Sequence, residues 1–154
     1  MLKIRLKSYA IKNGSTEKEN VIDDTLEIEY LGFPIESKVY NLSSQEDCEQ
    51  YYNLLNTITK ASSSWNDVTK DLQLTLDAAY SCRQNATFDD FCKFNKLIGE
   101  LKANMDGINK NKDYLRKLYC LLDAPWSDLI AHYDYTDERK IEIEVDGGDK
   151  IWGF

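Results

Sequence analysis

A single histidine, two prolines and seven scattered glycines leave this 154-residue chain short of the residues on which most recognisable chemistry depends. With His132 alone, a clustered-histidine metal site cannot form, and a thiol nucleophile activated by imidazole would have to use this one residue. The glycines form neither G-x-x-x-x-G-K-S/T nor G-x-G-x-x-G, so no phosphate-cradling loop is present and nucleotide binding has no support. Cys48, Cys82, Cys92 and Cys120 include no C-x-x-C pair, and three of them fall on expected apolar helix faces, which predicts buried, reduced thiols. No run approaches the ~18 apolar residues of a membrane helix. The charged start, with Lys3, Arg5 and Lys7 between Leu2, Ile4 and Leu6, lacks the continuous apolar region of a signal peptide, so a cytoplasmic location is expected.

What is present is folding material and acid. The chain is 42% hydrophobic and 30% charged, with ten Tyr and three Trp, a content that disordered segments lack. At this length one domain spanning 1–154 is expected, burying roughly 70% of the surface of the unfolded chain without need of disulfide or metal. The formal charge of −8 is unevenly spread: residues 123–154 carry nine acids against Arg139, Lys140 and Lys150, while the first 122 residues hold eighteen acids and sixteen bases. Such a balance argues against nucleic acid or an anionic membrane as direct ligand and favours a basic partner.

Hydrophobic period assigns the elements. Leu2 to Ala10 alternates as a strand with a basic outer face, residues 12–24 read as a polar connection with the turn pair Asn13-Gly14, and Thr25 to Leu31 alternates with Glu27 and Glu29 outward. Gly32-Phe33-Pro34 predicts a turn and Ile35 to Leu42 a third strand, so the N-terminal part is expected to be a three-stranded meander.

Ser43 and Ser44, followed by Glu46 and Asp47, predict a helix cap. Cys48, Tyr51, Tyr52, Leu55 and Ile58 then recur on one helical face. The Ser62-Ser63-Ser64 run is expected to end that helix, and Trp65, Val68, Leu72, Leu76 and Ala79 mark a second. Thr87 caps a third carrying Phe88, Phe91, Asn95, Ile98, Leu101 and Met105 and ending at Gly107. Leu115, Leu118 and Leu122 mark a fourth, and Pro125 separates a possible fifth. From Lys140 the period returns to two, Gly147-Gly148 signals a hairpin, and residues 149–154 could return as a strand. The expected architecture is α+β: a meander, a central run of four to five helices, and a C-terminal strand or hairpin joining the same sheet.

Adjacent acids at Glu46-Asp47 and Asp89-Asp90 are explained by first helical turns, and Asp23-Asp24 by a polar loop, so none of these pairs implies catalysis or metal binding. Asp146-Gly147-Gly148-Asp149 is too short for a calcium loop. Tyr9, Tyr40, Tyr80, Tyr135 and Trp152 lie off the main apolar stripes or at element ends, where aromatic residues serve packing more often than partner binding.

The strongest candidate for contact is the acidic end: Asp134, Asp137, Glu138, Glu142, Glu144, Asp146 and Asp149. Alternate residues on a strand lie roughly 6.8 Å apart, so Glu142, Glu144 and Asp146 form a carboxylate row that resembles part of a phosphate backbone. The competing reading places this row beside Lys3, Arg5 and Lys7 in one sheet, where opposite charges help to set register. Asp134, Asp137, Glu138 and Asp149 then flank the strand with no evident partner.

The stretch FDDFCKFNKLIGEL at Phe88 to Leu101, followed by YCLLDAPWSDLIAHYDY from Tyr119, resembles the acidic helical portion of ArdA-type antirestriction proteins, small mobile-element products that imitate DNA. The resemblance implies an inhibitor of host defence. The expected function is therefore a non-catalytic acidic inhibitor, anti-restriction or anti-CRISPR, that occupies the basic groove of a nuclease complex and needs no cofactor. An immunity protein against a nuclease toxin, a scaffold with a solvated acidic surface, and a small enzyme using His132 are the alternatives.

Overall fold

The computed structural model describes residues 1–147. The elements in chain order are β1 (Leu2–Ile11), β2 (Glu19–Ile28), β3 (Lys38–Asn41), α1 (Gln45–Arg83), α2 (Phe88–His132) and β4 (Glu138–Asp146). They divide into two compact units, Met1–Lys60 with Tyr114–Phe154, and Ala61–Asp113.

The first unit holds an antiparallel sheet in the order β2-β1-β4-β3. Strict alternation places Leu2, Ile4, Leu6 and Ala10 of β1 and Ile141 and Ile143 of β4 on its buried face. Tyr51, Leu55 and Ile58 of α1 and Leu115, Leu118, Leu122 and Leu129 of α2 supply further core side chains. Two edge-to-face contacts tie strand-side aromatics to the helices: Tyr40 to Tyr51 at 5.0 Å and Tyr30 to Tyr114 at 5.6 Å between ring centroids. Arg139 is also buried on this face; its Nη2 donates to the Leu42 carbonyl at 2.8 Å.

The expected meander does not form. β2 pairs with β1, but β3 lies at the opposite edge, beside β4. The cause is the segment after β2: Leu31 and Phe33 are both buried, so Gly32-Phe33-Pro34 carries the chain into the core instead of turning it back along β2. Ser37 then anchors the approach to β3, its Oγ accepting from the Val145 N–H at 2.8 Å. The third strand shrinks to Lys38–Asn41. β2 begins at Glu19, not Thr25, because part of the polar connection pairs with β1; a register shift between Ser8 and Ala10 and a positive φ of 49° at Asn20 absorb the irregularity.

The four to five expected helices are two. Along α1, Tyr51, Leu55, Ile58, Ser62, Trp65, Thr69, Leu72, Leu76 and Ala79 follow one another at spacings of four and three, and each is buried or half-buried. Ser62 sits on this stripe, so the serine run interrupts its hydrophobicity without interrupting the helix. Hydroxyls elsewhere in α1 are satisfied internally: Thr57, Thr59, Thr69 and Thr75 each donate to the carbonyl four residues earlier. α2 likewise runs through Gly107 and Pro125. Its first expected apolar face holds only in part: Phe88 and Phe91 are exposed, at 81% and 40%, whereas Ile98 is buried and packs with Leu76 and Ala79 in the second unit, with Leu101 against them.

Both helix starts follow the sequence signals. Ser44 Oγ accepts from the Asp47 N–H at 3.5 Å while Asp47 accepts from the Asn41 N–H at 3.0 Å, and the Thr87 carbonyl accepts from Phe91. A proline inside a helix removes one backbone hydrogen bond and pushes neighbouring carbonyls aside. Near Pro125, the Leu122 carbonyl accepts from the Tyr51 hydroxyl at 2.7 Å, a buried bond between α1 and α2 in the first unit. Burial pushes the Tyr51 phenol far above its ordinary pKa, so it remains a donor at any physiological pH. Gly147 takes a positive φ of 72°, and the expected return strand after it lies outside the described residues.

Tyr51→Phe removes this donor and leaves the Leu122 carbonyl buried beside the proline. Denaturant unfolding should show a loss of about 1–2 kcal/mol with the slope unchanged; an unaltered midpoint would show that the bond contributes nothing to stability.

Candidate functional site

The outward face of the sheet is built by the same alternation that builds the core. On β1, Lys3, Arg5, Lys7 and Tyr9 point outward; on β4, Glu138, Lys140, Glu142, Glu144 and Asp146 do so. Register sets Lys3 opposite Asp146, Arg5 opposite Glu144 and Lys7 opposite Glu142. On the other side of β1, Lys3 lies opposite Glu27 and Lys7 opposite Asp23. A basic row therefore runs between two acidic rows.

The central row does not divide itself equally. Arg5 gives both of its hydrogen bonds to β2: Nε to Asp23 Oδ1 at 3.0 Å and Nη2 to Oδ2 at 2.9 Å. This fork holds the Asp23 carboxyl below the usual range and raises the guanidinium, with Glu144 adding only a more distant attraction. Among the described residues, Glu142, Glu144 and Asp146 have no ion pair within 4.0 Å, although each faces a base in register. Glu144 and Asp146 are exposed and Glu142 is half-buried.

The acids that flank the strand behave differently. Asp134 accepts from the Thr136 N–H at 2.8 Å and from its hydroxyl, and Asp137 accepts from the Asp134 N–H at 3.1 Å. Asp137 also takes the Asn13 N–H at 2.8 Å, joining the β1–β2 connection to the start of β4. The Thr136 hydroxyl, followed by its amide, holds Asp134 below the ordinary carboxyl range. Glu138 pairs with Lys140 at 3.1 Å. These three residues therefore do have partners within the fold: two shape a turn and one holds a lysine. Asp149 lies outside the described residues.

Sequence reasoning missed the second acidic row, since Asp23 was assigned to a loop. The signal was the outward-inward alternation of Val21, Ile22, Asp23, Asp24, Thr25 and Leu26, weakened because Asp24 occupies an inward position at the sheet edge. Val21 and Val39 are exposed at 64% and 54%, and both lie on the outward face, Val39 in register with Glu142.

Elsewhere the candidates thin out. His132 is exposed and stands 3.7 Å from Asp128, one helical turn away. Cys82, Cys92 and Cys120 are exposed and Cys48 is half-buried, all four free, so the expected burial of the thiols does not occur. Cys48 continues the α1 stripe three residues before Tyr51, whereas Cys82, Cys92 and Cys120 fall beside the helical stripes. Tyr40 is buried, Tyr135 is 77% exposed, Tyr80 receives the Arg83 guanidinium at 5.0 Å, and Trp152 lies outside the described residues. No group of three or more His, Cys, Asp or Glu side chains suited to a metal occurs among the described residues, and no helix among them is long and apolar enough to cross a membrane.

The folded-state pKa of Asp23 is depressed, so its contribution to stability is present above the ordinary aspartate value and is lost as pH falls through the lower folded value. A carboxyl carbon NMR titration should place Asp23 below an unperturbed aspartate near ~3.9, and Arg5→Gln should return it toward that value. A normal Asp23 midpoint in the unaltered protein would contradict the fork. No family model, curated protein or solved structure matches this chain.

Proposed function

We propose that this protein is a non-catalytic inhibitor that docks the outward, acid-rich face of its sheet onto the basic groove of a nucleic-acid-processing enzyme. The observation that carries this reading is the commitment of Arg5 to Asp23. Because that fork closes on β2, the β4 row of Glu142, Glu144 and Asp146 keeps its negative field for an external partner. Carboxylates spaced roughly 6.8 Å apart along a strand offer a basic groove a repeat it would otherwise meet in a phosphate backbone. Exposed Val39, beside Glu142, supplies apolar area at the same place.

Charge distribution supports the same assignment. Residues 61–113 hold eight acids and seven bases, so nearly all of the −8 belongs to the unit that contains the sheet. The resemblance of the helical stretches to ArdA-type antirestriction proteins points to defence evasion as the setting, with a nuclease complex as target and the cytoplasm as the place of action. The acids of the turn, Asp134 and Asp137, hold local structure and extend the negative field past the start of β4.

Salt and charge test this directly. Immobilised protein should retain a nuclease or other nucleic-acid enzyme from a host lysate at low ionic strength, release it at high salt, and inhibit it in a cleavage assay. The triple variant Glu142→Gln, Glu144→Gln and Asp146→Asn should lose capture while unfolding at nearly the same temperature. Neutral amides are preferred to lysines, because lysines here would face Lys7, Arg5 and Lys3 across β1 and destabilise the sheet itself. Undiminished capture by the triple variant, or a retained partner insensitive to salt, would overturn the proposal.

A further inference from the structure

The first unit carries a second surface feature that the sheet face does not explain. Residues 51 and 52 are adjacent on α1, so only one can enter the core: Tyr51 is fully buried and Tyr52 is 54% exposed. Tyr51 links inward to Tyr40, edge to face at 5.0 Å, and outward to Trp126, stacked at 5.2 Å with 13° between the planes. Tyr52 stands 6.4 Å from Trp126. The result is a chain of four aromatic rings running from the sheet to the surface. It ends in an open groove of about 410 Å³ lined by Cys48, Glu49, Tyr52, Asn53 and Trp126.

The chemistry of this lining is specific. Two aromatic rings present π density, and a carboxylate stands one turn of helix from Tyr52. The groove contains no lysine or arginine. Glu49 has no ion pair among the described residues; its Oε1 accepts a hydrogen bond from Gln45 Nε2 at 3.1 Å, which leaves Oε2 available. Glu46 and Asp47 add negative charge in the first turn of the same helix. The rings are held from beneath, because Trp126 stacks on a buried Tyr51 whose hydroxyl is bonded to the Leu122 carbonyl. A preformed aromatic wall beside an uncompensated carboxylate suits a planar cation, which stacks on the rings and forks to the acid.

We infer that this groove receives an arginine side chain of a partner protein, its guanidinium against Tyr52 and Trp126 and hydrogen-bonded to Glu49. The site lies on the helices and is independent of the sheet face, with which it shares only the sign of the partner's charge. Such an anchor would supply short-range contact at a surface separate from the sheet face.

The test uses the isotopically labelled full chain and N-acetyl-arginine amide as probe, with the indole N–H resonance of Trp126 identified by elimination through Trp65→Phe and Trp152→Phe. The arginine amide should shift this resonance saturably at about millimolar concentration. The neutral isostere N-acetyl-citrulline amide should not. Glu49→Gln should weaken the probe by about fivefold, and Tyr52→Ala, a change at an exposed position, should weaken it similarly. The sheet-face triple amide variant should bind the probe unchanged, so failure here and failure of the sheet-face proposal are separable. Equal shifts from citrulline amide would overturn the inference, as would a larger shift from N-acetyl-leucine amide, which would indicate an apolar occupant. A shift that appears on concentrating the protein alone would overturn it in favour of a second copy of the chain.

Discussion

The antiparallel pairing of β1 with β4 is the constraint from which the rest of the first unit follows, because it joins residues 3–11 to residues 138–146 across the whole length of the helical segment. With those strands side by side at the centre of the sheet, β2 adds to the free edge of β1 and β3 to the free edge of β4, which gives the observed order. The pairing also sets Ile4, Leu6 and Ser8 opposite Val145, Ile143 and Ile141 on alternating positions, so one face becomes core. The same register brings Lys3, Arg5 and Lys7 opposite Asp146, Glu144 and Glu142 on the other face. A slip by one residue would exchange the two faces and bury the charges, so hydrophobic pattern and charge pattern enforce the same register.

Much of this was legible in the sequence, and the failures have definite physical causes. β1 and β4 were recognisable because each alternates strictly, with mainly basic residues on the wet face of β1 and mainly acidic ones on that of β4. The caps at Ser44 and Thr87 were recognisable because hydroxyl and acid stand at the required spacing. The order of the sheet was not, since nothing local to Gly32-Phe33-Pro34 states that Leu31 and Phe33 will be buried and carry β3 to the other edge. Helix number was misread for a related reason. A serine run and a proline are local signals for termination, but the stripe from Tyr51 to Ala79 continues through Ser62, and the Leu122 carbonyl near Pro125 finds the Tyr51 hydroxyl. Tertiary contacts override local preference where they supply a buried hydrogen bond between helices or the next core residue. The candidate site divided in the same way: its strand acids could be read from period two, whereas the turn-forming work of Asp134 and Asp137 depends on contacts with Thr136 and Asn13 that only the fold creates.

On the outward face of the sheet, three bases of β1 are shared among a larger number of acids on β2 and β4. Arg5 forks to one carboxylate, and geometry gives that carboxylate to β2. What remains on β4 is a row held straight by the sheet, in the field of nearby bases but without direct contact to them. Under the proposed function, such a row would meet a cationic partner by fast, salt-sensitive association.

Carboxyl footprinting of the protein alone and in complex with its captured partner tests the central claim most directly. Carbodiimide-coupled labelling, read by mass spectrometry, should show Glu142, Glu144 and Asp146 protected in the complex while Asp67, Asp71 and Glu100 of the second unit remain as reactive as in the free protein. Protection of the second-unit acids with Glu142, Glu144 and Asp146 still fully labelled would contradict the account.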